Sequence, residues 1–147
     1  MTKLVNRGMK IAKGLICILC LYIIICIVGM QFYNSEKAAD YATSHTLSKS
    51  HTWCAAWVMK GLWKGHCYIG LYPAWAYKYV LPLYGFKKIN TTDYQKGDII
   101  VYPAVGKHIW GHIAIYNGSQ WISDFKQKNK IVSSAYNQVQ STLFRYL

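Results

Sequence analysis

Acidic residues are scarce in this chain: five Asp and Glu stand against 17 Lys and Arg among 147 residues. Four of the basic residues precede residue 14, so 13 basic residues still face five acidic ones in the remainder, a net charge of +8. That charge suits an anionic partner such as cell wall or lipid headgroups. Nucleic acid is not an expected partner, because clustered arginine and RNA-binding motifs are absent. Internal repeats are absent as well, and the composition after the first 35 residues fits one domain.

Charge is missing altogether from a 22-residue run, GLICILCLYIIICIVGMQFYNS, at residues 14–35. A membrane-spanning helix needs about 20 apolar residues. A cleaved signal peptide usually has a shorter apolar stretch and a small-x-small site, and a lipoprotein needs a small residue before its cysteine, whereas Cys26 follows three isoleucines. The basic residues before the run keep the N-terminus inside. We therefore predict a cytoplasmic N-terminus at residues 1–13, a single-pass, uncleaved inner-membrane anchor at 14–35, and a periplasmic or extracellular domain at 36–147.

Helical periodicity marks the first half of that domain, and strand-like alternation marks the second. Large apolar residues four to five positions apart predict a buried helix from Trp53 to Trp63, which Thr52 or Ser50 can cap. The other predicted elements are short helices from Glu36 to Thr43 and from Pro73 to Val80, strands from Asp98 to Tyr102 and from Thr142 to Tyr146, and a hairpin from His112 to Asp124 that turns at Asn117 and Gly118. Helices followed by a small antiparallel sheet indicate an α+β domain.

Only two of the five cysteines, Cys54 and Cys67, lie outside the predicted span. An oxidising compartment favours a disulfide between them, but the intervening helix would separate them by about 15 Å, beyond the limit of ~7 Å between Cα atoms. Zinc-binding spacing is absent. At a helix N-terminus, free backbone N–H groups stabilise a thiolate, so the pKa of Cys54 is expected to fall and Cys54 is a candidate nucleophile. A buried structural thiol is the alternative.

A thiol nucleophile needs a base that also protonates the leaving amine, and a histidine at a strand edge commonly fills this role. His112 follows Gly111, which lets another backbone approach closely, and it opens the most regular strand in the chain. The other histidines lie in polar or loop segments: His45, His51, His66 and His108.

The length of the hairpin turn decides which residue faces His112. A three-residue turn at residues 117–119 places Asp124 opposite His112, where its carboxylate would hold the imidazole tautomer. A two-residue turn pairs His112 with Ser123 and turns Asp124 to the other face of the sheet. In that case Asn117, Gln127 or a backbone carbonyl would orient the imidazole.

The segments WCAAWV, GDIIVY and GHIAIYNGSQWISDF, in this order, resemble the CHAP and NlpC-type cysteine peptidases that cut bacterial peptidoglycan. The chain is especially similar to small CHAP-like amidases of phage lysins and interbacterial effectors. The resemblance implies a papain-like fold in which N-terminal helices pack on a small antiparallel sheet. It implies Cys54 as nucleophile and His112 as base, with Asp124 as the third, more variable residue. The expected thiol mechanism has an oxyanion held partly by the Cys54 backbone N–H and needs no metal or cofactor.

These features together predict a membrane-anchored peptidoglycan amidase or endopeptidase with a Cys-His thiol mechanism. Trp53, Trp110 and Tyr41 are predicted to bind the substrate, and an immunity or inhibitor protein is a further candidate partner. One alternative is a non-catalytic membrane protein of the same fold that binds wall peptides or a partner through the aromatic segment at residues 67–84. The other is an acyltransferase, since the same architecture can transfer an acyl group to acceptors other than water.

Overall fold

Two helices open the part of the chain that follows the apolar run. The computed structural model describes residues 16–20 and 33–147, and residues 16–20 are helical. Helix α1 spans Ser35–Ser44 and helix α2 spans Cys54–Lys64, so both helices predicted here are confirmed. Asn34 caps α1, because its side-chain oxygen accepts a hydrogen bond from the Lys37 backbone N–H at 2.7 Å.

The predicted N-terminal segment and most of the predicted membrane anchor, at residues 1–13 and 14–35, lie outside the described residues. Within residues 16–20 and 33–147, no helix has the length and apolar character needed to cross a bilayer. Residues Tyr33–Leu147 form one compact unit, which carries every other element described below.

Close packing of α1 against α2 holds Cys54 in place through the second helix. Gly61 of α2 faces α1, where a Cβ atom would lie 2.9 Å from the Ala38 carbonyl oxygen and 3.4 Å from the Ala42 Cβ. Ala38, Ala39 and Ala42 are all buried along the facing side of α1. Small residues on both sides let the two backbones approach, so α2 is fixed against the body of the protein.

The aromatic segment after α2 forms three short helical pieces instead of the one predicted helix. A 3-10 turn at Ala74–Ala76 leads into α3, Tyr77–Val80, and a second 3-10 turn follows at Leu81–Tyr84. Pro82 has no N–H to donate to an α-helical bond, which accounts for the change of helix type there. Tyr77 is fully buried and donates from its hydroxyl to the Gly70 carbonyl at 3.0 Å, tying the preceding loop to α3.

Five antiparallel strands form one sheet in the order β1-β5-β2-β3-β4. Their bounds are Phe86–Ile89, Ile99–Tyr102, His112–Tyr116, Trp121–Ile122 and Thr142–Tyr146 for β1 to β5. The predicted β2, β3 and β5 are confirmed, and the α+β arrangement is as expected. The edge strand β1 was not predicted, because FKKI exposes two lysines in a four-residue strand and gives almost no alternation signal.

Both faces of the sheet are covered, and the two faces divide the site residues. On one face, alternate strand residues such as Ile99, Val101 and Ile113 pack with Cys54 and the helices. On the other, Ile100, Tyr102 and Ala114 pack with Tyr136 and Trp121. Strand β2 is therefore buried along its whole length and supports the site from both sides.

Candidate active site

Cys54 is the first residue of α2 and is 8% exposed, and both Cys54 and Cys67 are free thiols, as expected from their spacing. The predicted cap by Thr52 or Ser50 is wrong. Trp53 is the N-cap residue of α2, and no side-chain capping hydrogen bond forms there. Instead the buried Asp124 carboxylate accepts from the backbone N–H of His51 at 2.6 Å and of Trp53 at 3.3 Å. The loop before the nucleophile is thus held by a residue 70 positions away, which no local pattern reveals.

The pKa of Cys54 is raised above its ordinary value, so the expected fall is wrong in sign. Burial is the largest cause, since removing a thiolate from water disfavours the charged form. Backbone N–H groups do lower the pKa: Ile113 on β3 contributes most, and Ala55 and Cys54 on α2 supply the effect that the helix position predicted. The negative charge of Asp124 raises it further. In its resting state the site therefore holds a neutral thiol.

His112 is the first residue of strand β3 and directly follows Gly111, a position that requires glycine. Gly111 has φ +68°, and a Cβ there would lie 2.5 Å from the Tyr102 carbonyl oxygen, so the predicted close approach is confirmed. Tyr102 pairs with His112 across β2 and β3. The imidazole is almost completely buried, and burial lowers its pKa to about 4, while the Asp124 charge raises it and the His108 charge lowers it.

The hairpin register differs from the predicted three-residue turn. Tyr116 pairs with Trp121, where that turn requires Gln120, and the Asn117 side-chain oxygen closes the longer loop by accepting from the backbone N–H of Ser119 and Gln120. Strand β4 ends at Ile122, and the chain then bends away from His112. The predicted pairing, in which the Asp124 carboxylate accepts from the His112 imidazole, is therefore not formed; the carboxylate accepts from the loop before α2 instead.

Gln127 takes the position beside His112. The chain returns after its bend, the Gln127 backbone N–H donates to the Trp121 carbonyl at 2.9 Å, and the buried side-chain amide lies 2.6 Å from His112 Nε2. With the amide nitrogen at this contact, the buried Gln127 Oε1 has no partner. With the two amide atoms exchanged, Oε1 accepts from Nε2–H and the amide nitrogen takes the unpartnered position. Nδ1 is then left as the proton acceptor of the ring.

Cys54 and His112 line one cleft of about 310 Å³ at this end of the sheet. Trp110 lines it too and is 64% exposed, and Trp53, next to Cys54, is 59% exposed, so both predicted binding residues are available at or beside the cleft. Tyr41 lies on α1, where its ring stacks on His45 at 3.9 Å between centroids, and it does not line the cleft. Sequence patterns did not reveal Tyr136 as a further lining residue.

The fold and this cleft define a class: small α+β proteins in which a cysteine at a helix N-terminus shares a cleft with a histidine at the start of a strand. No protein-family model matches the chain, and no curated protein sequence matches it. Two solved structures do. The native type VI effector-immunity complex Tae3-Tai3 from Ralstonia pickettii matches with 35% identity and TM-score 0.73 over 78% of this chain and 100% of that one. Its selenomethionine form matches with 34% identity and TM-score 0.68 over 74% and 98%.

The chain belongs to the Tae3 family of type VI effectors. The effector type named by the sequence resemblance is thereby confirmed, whereas membership in the CHAP or NlpC families stays a prediction. The share of the chain that is matched, 78%, corresponds in size to the unit Tyr33–Leu147.

Proposed function

We propose that the chain is a peptidoglycan hydrolase that cuts amide bonds of wall peptides through Cys54 and His112. The observation that carries this proposal is the cleft in which a helix-terminal cysteine and a strand-borne histidine meet, with an amide on the far nitrogen of the imidazole. Membership in the Tae3 effector family supports a wall amidase. The positive charge of the chain supports an anionic, wall-type substrate.

The reaction starts from a neutral thiol and a neutral imidazole, as the raised pKa of Cys54 and the lowered pKa of His112 require. Cys54 Sγ attacks the amide carbonyl carbon while its proton passes to His112 Nδ1. The C–N bond then breaks, and the imidazolium returns that proton to the leaving amine. Water attacks the thioester, gives one proton to His112 and releases the acid, and the proton then returns to the Cys54 thiolate.

Three groups around this pair support the reaction. The Cys54 backbone N–H is the proposed oxyanion donor, as the acyl-transfer mechanism requires a donor beside the nucleophile. Gln127 is the proposed orienting residue, because it is the group in hydrogen-bond contact with His112 Nε2. Asp124 acts through position and charge: it fixes the backbone before Cys54 and stabilises the imidazolium from a distance.

We further propose that residues 14–35 anchor the protein in the inner membrane with the hydrolase domain outside, and that an immunity protein inhibits it. The charge-free apolar run supports the anchor. The immunity partner is supported by the solved relatives, which are effector-immunity complexes. A reporter fused after Leu147 should be active only outside the cytoplasm; cytoplasmic activity would contradict this topology and remove the wall as substrate.

The decisive experiment incubates purified sacculi with the full-length chain in detergent and identifies the released muropeptides by mass spectrometry. New amine and carboxyl termini should appear, and they name the bond that is cut. Cys54→Ser should lower the rate by more than about a thousandfold, because a hydroxyl is a far weaker nucleophile at neutral pH. Cys67→Ser is the matched control and should retain activity, since Cys67 is packed in the core away from the cleft.

Three outcomes would overturn the proposal. Equal loss in both cysteine variants would return the cysteines to a structural role. Binding of intact sacculi without new termini would favour the non-catalytic alternative. Wall peptides that gain an acyl group without net hydrolysis would favour an acyltransferase.

A further inference from the structure

Buried polar atoms without a partner cluster around His112. Among the described residues, four buried side-chain atoms lack a hydrogen-bond partner, and three belong to residues beside this imidazole: His108 Nε2, Gln127 Oε1 and Tyr136 OH. The Gln127 amide already contacts His112 Nε2 through its other atom. The remaining two unpaired atoms belong to His108 and Tyr136. Buried polar groups are nearly always paired, so an unpaired pair that lines a cleft points to a ligand that completes it.

The His108 backbone makes three hydrogen bonds, and its ring packs near Tyr136. Its N–H donates to the Val105 carbonyl at 2.9 Å, and its carbonyl accepts from the N–H of Val105 at 3.2 Å and of Gly111 at 3.0 Å. The imidazole lies 5.3 Å from the Tyr136 ring between centroids.

Tyr136 is buried at the end of the 3-10 turn Ser134–Tyr136. Its ring packs 4.8 Å from Tyr102 and 6.3 Å from His112 between centroids. Burial and then the charge of Cys54 raise the pKa of Tyr136 to about 12, so its hydroxyl stays a proton donor at neutral pH and lies within electrostatic range of the nucleophile.

The other polar groups of the cleft are donors or basic as well. Lys107, Ser50, Thr52 and Ser133 line it together with His108 and Tyr136. No carboxylate of the described residues lines the cleft, and Asp124 is engaged with the loop before α2. A cleft that offers O–H, ring N–H and ammonium donors, and no negative side chain, is complementary to a carboxylate.

We propose that Tyr136, His108 and Lys107 form a binding subsite for a free carboxylate of the wall peptide beside the amide that is cut. The two unpaired atoms, on Tyr136 and His108, donate to the carboxylate oxygens, and Lys107 contributes charge from the rim. This subsite rests on the proposed function for the identity of its ligand. It makes the enzyme selective for wall peptides whose carboxyl group next to the scissile amide is free and not amidated.

The test compares two muropeptides that differ only in whether the carboxyl group next to the cleaved bond is free or amidated. The full-length wild-type chain should cleave the free form with a kcat/KM at least about tenfold higher, the size of one charge-assisted hydrogen bond. Tyr136→Phe should remove most of this preference by lowering kcat/KM for the free form alone. His108→Asn should do the same, and Lys107→Ala should do so less and mainly at low salt.

Tyr33→Phe is the matched control, because Tyr33 carries the second buried, unpartnered hydroxyl among the described residues and packs against Phe86 and Tyr146. Both Tyr→Phe variants remove an unsatisfied polar atom, so both should unfold at or above the wild-type temperature. Only Tyr136→Phe should change the selectivity.

Equal cleavage of both peptides by the wild type, or a preference that survives Tyr136→Phe, would overturn the subsite while the hydrolase stands. An equal loss on both peptides in Tyr136→Phe would make Tyr136 a transition-state donor and would also overturn it. If the wild type cleaves neither peptide, the hydrolase proposal fails, and calorimetric binding of the same two peptides still decides the subsite. A free-over-amidated binding preference that Tyr136→Phe abolishes would support it, and equal binding would refute it.

Discussion

Two aspartates are buried to the same degree in this protein and are used in opposite ways. Asp98, 1% exposed, faces Arg145, whose Nε and Nη2 donate to its two carboxylate oxygens at 2.8 Å each. Asp124, completely buried, makes no ion pair within the described part of the chain. Its oxygens accept from backbone N–H groups and from serine hydroxyls. Asp98 is thus paired with a guanidinium, whereas Asp124 accepts only from uncharged donors among the described residues.

The difference shows how position decides what a buried charge does. Asp98 joins the start of β2 to β5, where a planar guanidinium can meet both oxygens, and the result is a rigid connection far from the cleft. Asp124 holds the backbone that leads into Cys54 and raises the pKa of both Cys54 and His112. The same residue type therefore stabilises the sheet at one end and keeps protons on the thiol–imidazole pair at the other.

The largest expected effect is the loss of folding stability when Asp98 is replaced. Asp98→Ala leaves the Arg145 guanidinium without its carboxylate and should lower the free energy of unfolding by about 3 kcal/mol, with kcat per folded molecule unchanged. Urea unfolding measures the first and initial rates the second. Asp40→Ala is the control: its pair with Lys96 is at the surface and should be worth less than about 1 kcal/mol. Similar losses in the two variants would contradict the structural role of Asp98.

Low pH should reduce the stability of the fold through His112, the buried imidazole near Asp124. Its pKa is about 4 when folded against an ordinary value of 6.5, so the unfolded chain binds the proton first as the pH falls. Stability attributable to this group is complete above pH 6.5 and should decrease by about 3 kcal/mol as the pH drops to about 4. The check is urea unfolding at pH 7.5 and pH 4 in the wild type and in His112→Asn. An identical acid loss in both chains would show that the buried imidazole is not responsible.

The next effect concerns the group that orients the imidazole. Gln127→Ala removes the amide from His112 Nε2 and should lower kcat by about ten- to a hundredfold with little change in KM, because the ring loses its fixed tautomer. Gln140→Ala, at an exposed position, is the control. An unchanged kcat in Gln127→Ala would contradict the orienting role of Gln127. It would then favour Asp124 as the third residue.

The smallest effect is expected at Asp124 itself. Asp124→Asn keeps an oxygen that can accept from the His51 backbone N–H and loses the charge, so stability should decrease by only about 1 kcal/mol. Because the Asp124 charge raises the pKa of His112, the acid limb of the pH–rate profile should move below that of the wild type. Loss of rate as large as in Cys54→Ser would instead support the triad with Asp124 that the sequence predicted.

Local periodicity was enough to predict the elements that carry the two reactive side chains. Spacing of the large apolar residues located α2 and thus placed Cys54 at a helix N-terminus, and alternation located β3 with His112 at its start. Gly111 correctly predicted a close backbone contact, because only a residue without Cβ fits beside the Tyr102 carbonyl. Separation along α2 kept Cys54 and Cys67 apart as free thiols.

The surroundings of those two side chains depend on long-range contacts that no local pattern encodes. A longer loop closed by Asn117 and a two-residue β4 moved Asp124 away from His112 and brought Gln127 to it, and hairpin register is weakly coded in sequence. The sign of the Cys54 pKa shift depended on burial, which comes from packing of the helices on the sheet and outweighs the local N–H groups. Tyr136 reaches the cleft from 82 positions beyond Cys54, because long-range packing brings together residues between which the sequence carries no local signal.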